Sequence, residues 1–124
     1  MLVSLIIIVS LTSCVNPGKE IKFHANKIYY KDGATEQDGQ KLGDYMVKTK
    51  YFDTTDQKER DIQLLKEGDT YKVNFVVDTA AFNQRPTEGY NIFKSFEPEL
   101  SQNVFSGGKV NVGVVGPDLK EVKH

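Results

Sequence analysis

Tyr71, Val73, Phe75 and Val77 alternate with Lys72, Asn74 and Val76, a period of two that gathers the apolar residues on one side of an extended strand. Glu67-Gly68-Asp69 stands just before this run, and ahead of it Ile62 and Leu64 alternate with Asp61, Gln63 and, after Leu65, Lys66. Two alternating runs joined by a glycine between acidic residues form an antiparallel hairpin with one buried face. A hairpin is only marginally stable alone, so the rest of the chain has to cover that face.

The segments on either side supply the cover. Thr35 is followed three residues later by Asp38, with Glu36 adding charge to the first turn, an N-cap with an approximate capping box. Leu42, Tyr45, Met46 and Thr49 then recur at helical spacing while Gln40, Lys41, Asp44 and Lys48 fall mostly opposite, which predicts an amphipathic helix over Glu36 to Lys50. Gly39 and Gly43 lie on one side of it. Each costs about 1 kcal/mol of helix propensity against alanine, so their use is close packing of the helix on a sheet; a membrane GxxxG face would need an apolar segment, and this one is charged. Ile92, Phe93, Phe96, Leu100 and Val104 predict a second helix, bent near Glu97 or split in two by Pro98. Ile21 to Tyr30 reads as a first strand, and Val110, Val112 and Val114 as a fourth. Asp53 to Arg60 and Ala80 to Thr87 read as loops. Leu119 to Lys123 is a short edge strand or a frayed tail.

The resulting order, β-α-β-β-α-β, is that of a ferredoxin-like α+β fold: a four-stranded antiparallel sheet with two helices on one face. Another two-layer α+β sheet with a different strand order is the alternative. The helix side of this sheet would carry Ile28, Tyr30, Ile62, Leu64, Tyr71, Val73, Phe75, Val77, Val110, Val112 and Val114. The other side presents Tyr29, Gln63, Leu65, Lys72, Asn74, Val76, Asn111 and Val115. That second face, half apolar with one aromatic, suits a protein partner, a sheet-on-sheet dimer or the chain's own C-terminal tail; a plain solvated face is the bland reading.

Composition narrows the classes of function. The chain has 124 residues, 16 Lys plus Arg against 17 Asp plus Glu, and a net charge of -1. That is one domain's worth of chain without the basic excess of a nucleic-acid binder. With a single Cys and two His, there is no intramolecular disulfide framework and no Cys/His metal set.

Charge is also unevenly distributed: no charged residue precedes Lys19. Leu2 to Leu11 is an apolar run broken only by Ser4 and Ser10. As a helix rising about 1.5 Å per residue it reaches about half of a ~30 Å hydrocarbon core. Such a run followed by small residues reads as a cleavable export signal. Leu11-Thr12-Ser13-Cys14 follows it directly and resembles the lipobox of bacterial lipoproteins: an aliphatic residue, two small ones and the cysteine. The resemblance implies cleavage before Cys14, a diacylglyceryl group on its thiol and an acylated new amino terminus, which together anchor a protein stably in a membrane. Signals of this class normally begin with Lys or Arg, and Met1-Leu2-Val3 has neither, which points to a start upstream. Val15 and Asn16 follow Cys14 without an aspartate, which by resemblance to Gram-negative sorting patterns leans to the outer membrane. The competing reading of Cys14 is a buried free thiol behaving as a small hydrophobe. The expected organisation is a signal over 1–13, a lipidated flexible tether over 14–22 through Asn16-Pro17-Gly18-Lys19-Glu20, and a single α+β domain over 23–124. Leu42-Gly43-Asp44-Tyr45, Tyr51-Phe52, Ile62-Gln63-Leu64, Tyr71 to Val77 and Leu100-Ser101-Gln102-Asn103-Val104-Phe105 are similar to an uncharacterised small bacterial envelope module, a resemblance that implies no activity.

Catalytic chemistry finds little support. Ser106-Gly107-Gly108-Lys109 lacks the first glycine of a phosphate loop and the Ser or Thr after the lysine, and it precedes a strand; it reads as a helix stop. His24 lies near the tether, His124 is terminal, and Ser101 has no histidine partner. No cofactor or metal motif is present. The expectation is a lipid-anchored, non-enzymatic envelope protein that binds another protein or itself. The alternative is an envelope enzyme or enzyme inhibitor using the 53–60 and 80–87 loops.

Overall fold

The structure, a computed structural model, describes residues 16–53, 55 and 59–122. The export-signal run and Cys14 lie outside them. Five strands form the sheet: β1 (Lys19–Phe23), β2 (Asn26–Lys31), β3 (Ile62–Glu67), β4 (Thr70–Val76) and β5 (Lys109–Val115). They lie side by side in chain order. β1 and β3 pair antiparallel with β2 and β4 respectively, while β2 with β3 and β4 with β5 are parallel.

The α+β class therefore stands, but the four-stranded, all-antiparallel ferredoxin-like sheet does not form. The difference begins at His24, where the expected single strand Ile21 to Tyr30 folds back on itself. His24 takes a φ of 60°, Phe23 pairs with Asn26 and Ile21 with Ile28. The Asn26 amide donates to the Phe23 carbonyl at 3.5 Å and accepts from the Arg60 N–H at 2.8 Å. Residues 19–22, assigned to a tether, are thus the edge strand of the sheet.

Helix α1 (Glu36–Lys48) connects β2 to β3. Its cap is the one the sequence encodes: the Asp38 N–H donates to Thr35 Oγ1 at 3.1 Å and the Thr35 N–H to Asp38 Oδ2 at 3.0 Å. It ends two residues before Lys50, which turns the chain with a φ of 67°. β4 connects to β5 through α2 (Thr79–Phe82), α3 (Pro86–Lys94) and α4 (Phe96–Asn103). The expected loop over Ala80 to Thr87 is mostly helical, because Asp78 caps α2 through Ala80 and Ala81 and Pro86 opens α3. The break expected near Glu97 falls at Ser95, leaving Pro98 in the first turn of α4, where its missing N–H would have had no intrahelical acceptor.

Leu42 and Met46 of α1, Leu100 of α4 and the following Val104 and Phe105 form one core with Ile28, Ile62, Leu64, Val73, Phe75 and Val112. Tyr51 is its aromatic hub, 5.4 Å from Phe75 and 5.8 Å from Phe96 between ring centroids. Both connections therefore cover the same face. Since β2 and β4 run in opposite directions and each connection steps one place the same way across the sheet, the two must be of opposite hand; one is the left-handed crossover that proteins seldom use.

The outer edge of β5 is partly closed. A Glu97 carboxylate oxygen accepts the Val112 N–H at 2.8 Å and the Lys94 ammonium at 2.6 Å. Further along, the Val122 N–H donates to the Val114 carbonyl at 2.9 Å, and Glu121 bridges Val115. The tail is thus fastened by a single bridge instead of forming a full sixth strand.

Candidate binding face

The strand register decides which residues share the side away from the helices. Tyr29 lies beside Gln63, Gln63 beside Asn74, and Asn74 beside Gly113; Lys31, Leu65, Lys72 and Asn111 form the next row, and Val76 pairs with Val115. All eight residues expected on the second face do share it. They are not equally open. Gln63, Asn74 and Val115 are buried, Tyr29, Leu65, Lys72 and Val76 are half-buried, and Asn111 is exposed.

The cover comes from both chain ends. Gln63 Nε2 donates to the Pro17 carbonyl at 3.1 Å, and Asn74 Nδ2 donates to Gln63 Oε1 at 3.2 Å. The Lys31 ammonium donates to the Asn16 carbonyl at 2.9 Å. Asn16 to Gly18, expected to be flexible, are therefore pinned across the sheet by side chains 46 and 15 residues away in sequence. Sequence reasoning missed this because glycine and proline mark a turn without showing what it packs against. At the other end Leu119, with a φ of 65°, lies over the face.

Leu119 stands between two grooves. The first, about 540 Å³, is lined by Pro17, Tyr29, Val76, Val77, Pro117 and Leu119, together with the carboxyl-bearing Glu59, Asp61 and Asp78. The second, about 350 Å³, runs over β4 and β5 past Lys72, Asn74, Asn111, Tyr90 and Glu121. In the first groove the Lys27 N–H donates to Asp61 Oδ1 at 3.0 Å. Burial lifts the Asp61 carboxyl above its ordinary value, with Lys27 pulling down and Glu59 and Glu20 pushing up. Burial, helped by Asp61, also holds the Tyr29 phenol above its usual value against the pull of Lys27. These side chains offer apolar contact and negative charge at one end of the face.

The residues weighed for catalysis have structural surroundings. Ser101 Oγ donates to the Gly108 carbonyl at 2.7 Å, tying the end of α4 to the turn before β5. Ser106 and Gly107 make that turn with φ values of 53° and 84°, and Lys109 pairs with Asp69 at 3.3 Å. His24 is the β1–β2 turn. Of the 53–60 and 80–87 segments, Glu59 borders the acidic groove, and Ala81, Phe82 and Arg85 border a hollow on α3 with Ile92. Among the described residues no helix is long and apolar enough to cross a membrane.

The model of the AF_1994_N family, described as a family N-terminal domain, matches residues 20–124. No curated protein and no solved structure matches the chain.

Proposed function

This chain belongs to the AF_1994_N family, and since membership identifies a domain and not a reaction, we propose from the geometry of its open face that it is a non-enzymatic binding module of the cell envelope. In this reading Cys14 is acylated, the domain is held at a membrane, the outer membrane in a Gram-negative cell, and a partner protein docks on the face carrying Tyr29, Leu65, Lys72, Val76 and Asn111. The observation that carries the proposal is the paired grooves on that face, which share Leu119, the first walled by Pro17 and the second reaching the β5 edge beside Tyr90 of α3. A binding role also suits the polar groups that the fold buries. Asn26, Gln63 and Asn74 are all amides, and each is engaged in holding the backbone or its neighbour.

The pinned N-terminus gives this reading a geometry. Asn16 is tied to Lys31, and two residues of chain reach at most about 7 Å, so an acyl anchor on Cys14 would hold the domain close to the bilayer. Pro17, the next residue after Asn16, lines the acidic groove, so an anchor at Cys14 would bring the chain to the membrane from beside that groove.

Site-specific photocrosslinking in the native envelope tests the proposal. A benzophenone side chain at Leu65 should give a discrete adduct, and the same group at Ile92, 58% exposed on the helix side, should not. An adduct of twice the chain's mass would identify the partner as a second copy. Equal labelling from both positions, or none from either, would overturn the binding role.

A further inference from the structure

The acidic groove constrains what the partner brings to it. Its walls are mostly apolar, from Pro17, Val76, Val77, Pro117 and Leu119, and Tyr29 adds an aromatic ring. Set into them are Glu59, Asp61 and Asp78, and among the described residues no Lys, Arg or His lines the groove. Lys27 lies within the field of Tyr29, Glu20, Asp61 and Glu59 and offsets part of this charge. Asp78 is partly engaged in capping α2. Its volume of about 540 Å³ accommodates a long side chain together with its neighbours. The pairing of apolar walls with a carboxylate lining matches a lysine or arginine, whose methylene stem packs on apolar surface while the charged head reaches the acids. An anion would meet repulsion here, and a neutral apolar side chain would leave a desolvated carboxylate unpaired.

We infer that this groove receives a basic side chain, lysine or arginine, presented by an extended segment of the partner protein with apolar residues on either side. The inference rests on the binding role proposed above and names the chemistry of its partner. An extended segment is favoured because Leu119 borders both grooves. A strand-like peptide lying across Leu119 places its basic residue among Asp61, Glu59 and Asp78. A following residue then reaches the second groove, where Lys72, Asn74, Asn111 and Glu121 offer both donors and acceptors. Only the first groove selects for positive charge.

The test uses the full isotope-labelled chain in detergent and two probes, acetyl-Ile-Arg-Val-amide and its neutral isostere acetyl-Ile-citrulline-Val-amide. Titration followed by amide chemical shifts should show the arginine peptide perturbing residues around Tyr29, Asp61, Val76 and Leu119. The citrulline peptide should bind at least about tenfold more weakly, since it keeps the shape of the side chain but loses the charge that strengthens its hydrogen bonds to the carboxylates. Asp61→Asn preserves an acceptor for the Lys27 N–H and should weaken the arginine peptide by a similar factor while the spectrum elsewhere stays folded. Glu59→Gln, at an exposed position, provides a second variant with no packing role. Equal affinity for the two peptides, undiminished affinity in both variants, or shifts confined to the α3 hollow would overturn the inference. A partner crosslinked from Leu65 together with no response to the arginine peptide would remove the basic side chain and leave the binding role standing. Failure of the crosslink would remove the binding role itself.

Discussion

Gly43 lies directly beneath the ring of Phe23, so closely that a Cβ on the glycine would run into the aromatic carbons. The contact joins α1 to the edge strand and explains a glycine in a helix that would otherwise favour alanine. Phe23 also rests against Phe52, 5.8 Å between centroids, so displacing its ring disturbs the core. Gly43→Ala should therefore lose about 1–2 kcal/mol in denaturant unfolding, the gain in helix propensity being outweighed by overpacking. Gly39 provides the control. A Cβ there would stand 2.9 Å from Ile21 Cδ1, a terminal methyl that can rotate away, and Gly39→Ala should stay within about 0.5 kcal/mol of the parent. The double variant Phe23→Leu with Gly43→Ala should recover part of the loss; no recovery would show that the helix resists alanine for another reason.

The amide pair Gln63 and Asn74 makes a separable prediction. Gln63→Leu removes the acceptor for Asn74 and the donor for the Pro17 carbonyl, leaving a buried amide unsatisfied at a cost of about 1–3 kcal/mol. Replacing Asn74 by valine in the same background should restore much of the stability, because removing both partners is far less costly than removing one. It should not restore the hold on Pro17. Hydrogen exchange at Gly18 and tryptic cleavage after Lys19 should therefore be faster in both variants, and unchanged rates would show that Lys31 and the strand pairing suffice.

What the sequence made legible, and what it did not, follows the range of the interactions. The Thr35–Asp38 cap is set by residues three apart, and the alternation in β3, β4 and β5 assigns faces by parity alone, so both were readable. The His24-Ala25 turn was not, because the left-handed φ falls on a histidine and no glycine or proline marks it. Strand order was also hidden: alternation shows that a segment is a strand but says nothing about its neighbour. The acidic groove needed Pro17, Asp61, Asp78 and Leu119 together, four segments joined only by the fold. Its open-face residues Tyr29 and Val76 were visible by parity, while Glu59 fell in a segment read as a loop and Asp61 in the alternation of β3, and nothing in either pattern joined them to Asp78.

Asp61 and Asp69 should bend the stability profile in opposite directions. Burial raises the folded-state pKa of Asp61 above its ordinary 3.8, so between those values the folded chain retains a proton that the unfolded chain has released. Stability from this group falls as pH rises through that window, and the full penalty persists above it. Asp61→Asn should then be more stable than the parent near pH 7, with the gap closing towards pH 4. Asp69 is held below its ordinary value by the Lys109 hydrogen bond and charge, so its contribution is present above that value and is lost as pH falls. Asp69→Asn should narrow its difference from the parent on acidification, starting from a deficit. Thermal midpoints of the three proteins across pH 3–8 check both signs. A gain in stability at Asp61 alongside weaker binding of the arginine peptide would mark a charge kept for function at the expense of stability.

The anchor can be tested apart from the fold. If Leu11-Thr12-Ser13-Cys14 is processed as its resemblance implies, Cys14→Ser should abolish incorporation of labelled palmitate, because the thiol that takes the acyl group is gone. The purified serine variant should retain the parent's thermal midpoint, since the described residues from Asn16 onward make their bonds through Lys31 and Gln63. A 15-residue flexible insert between Val15 and Asn16 should leave labelling intact but move the domain outward, lowering quenching of a fluorophore at Leu65 by headgroup-attached quenchers. Labelling that survives in the serine variant would remove the lipid anchor, whereas quenching insensitive to the insert would remove only the close seating on the bilayer.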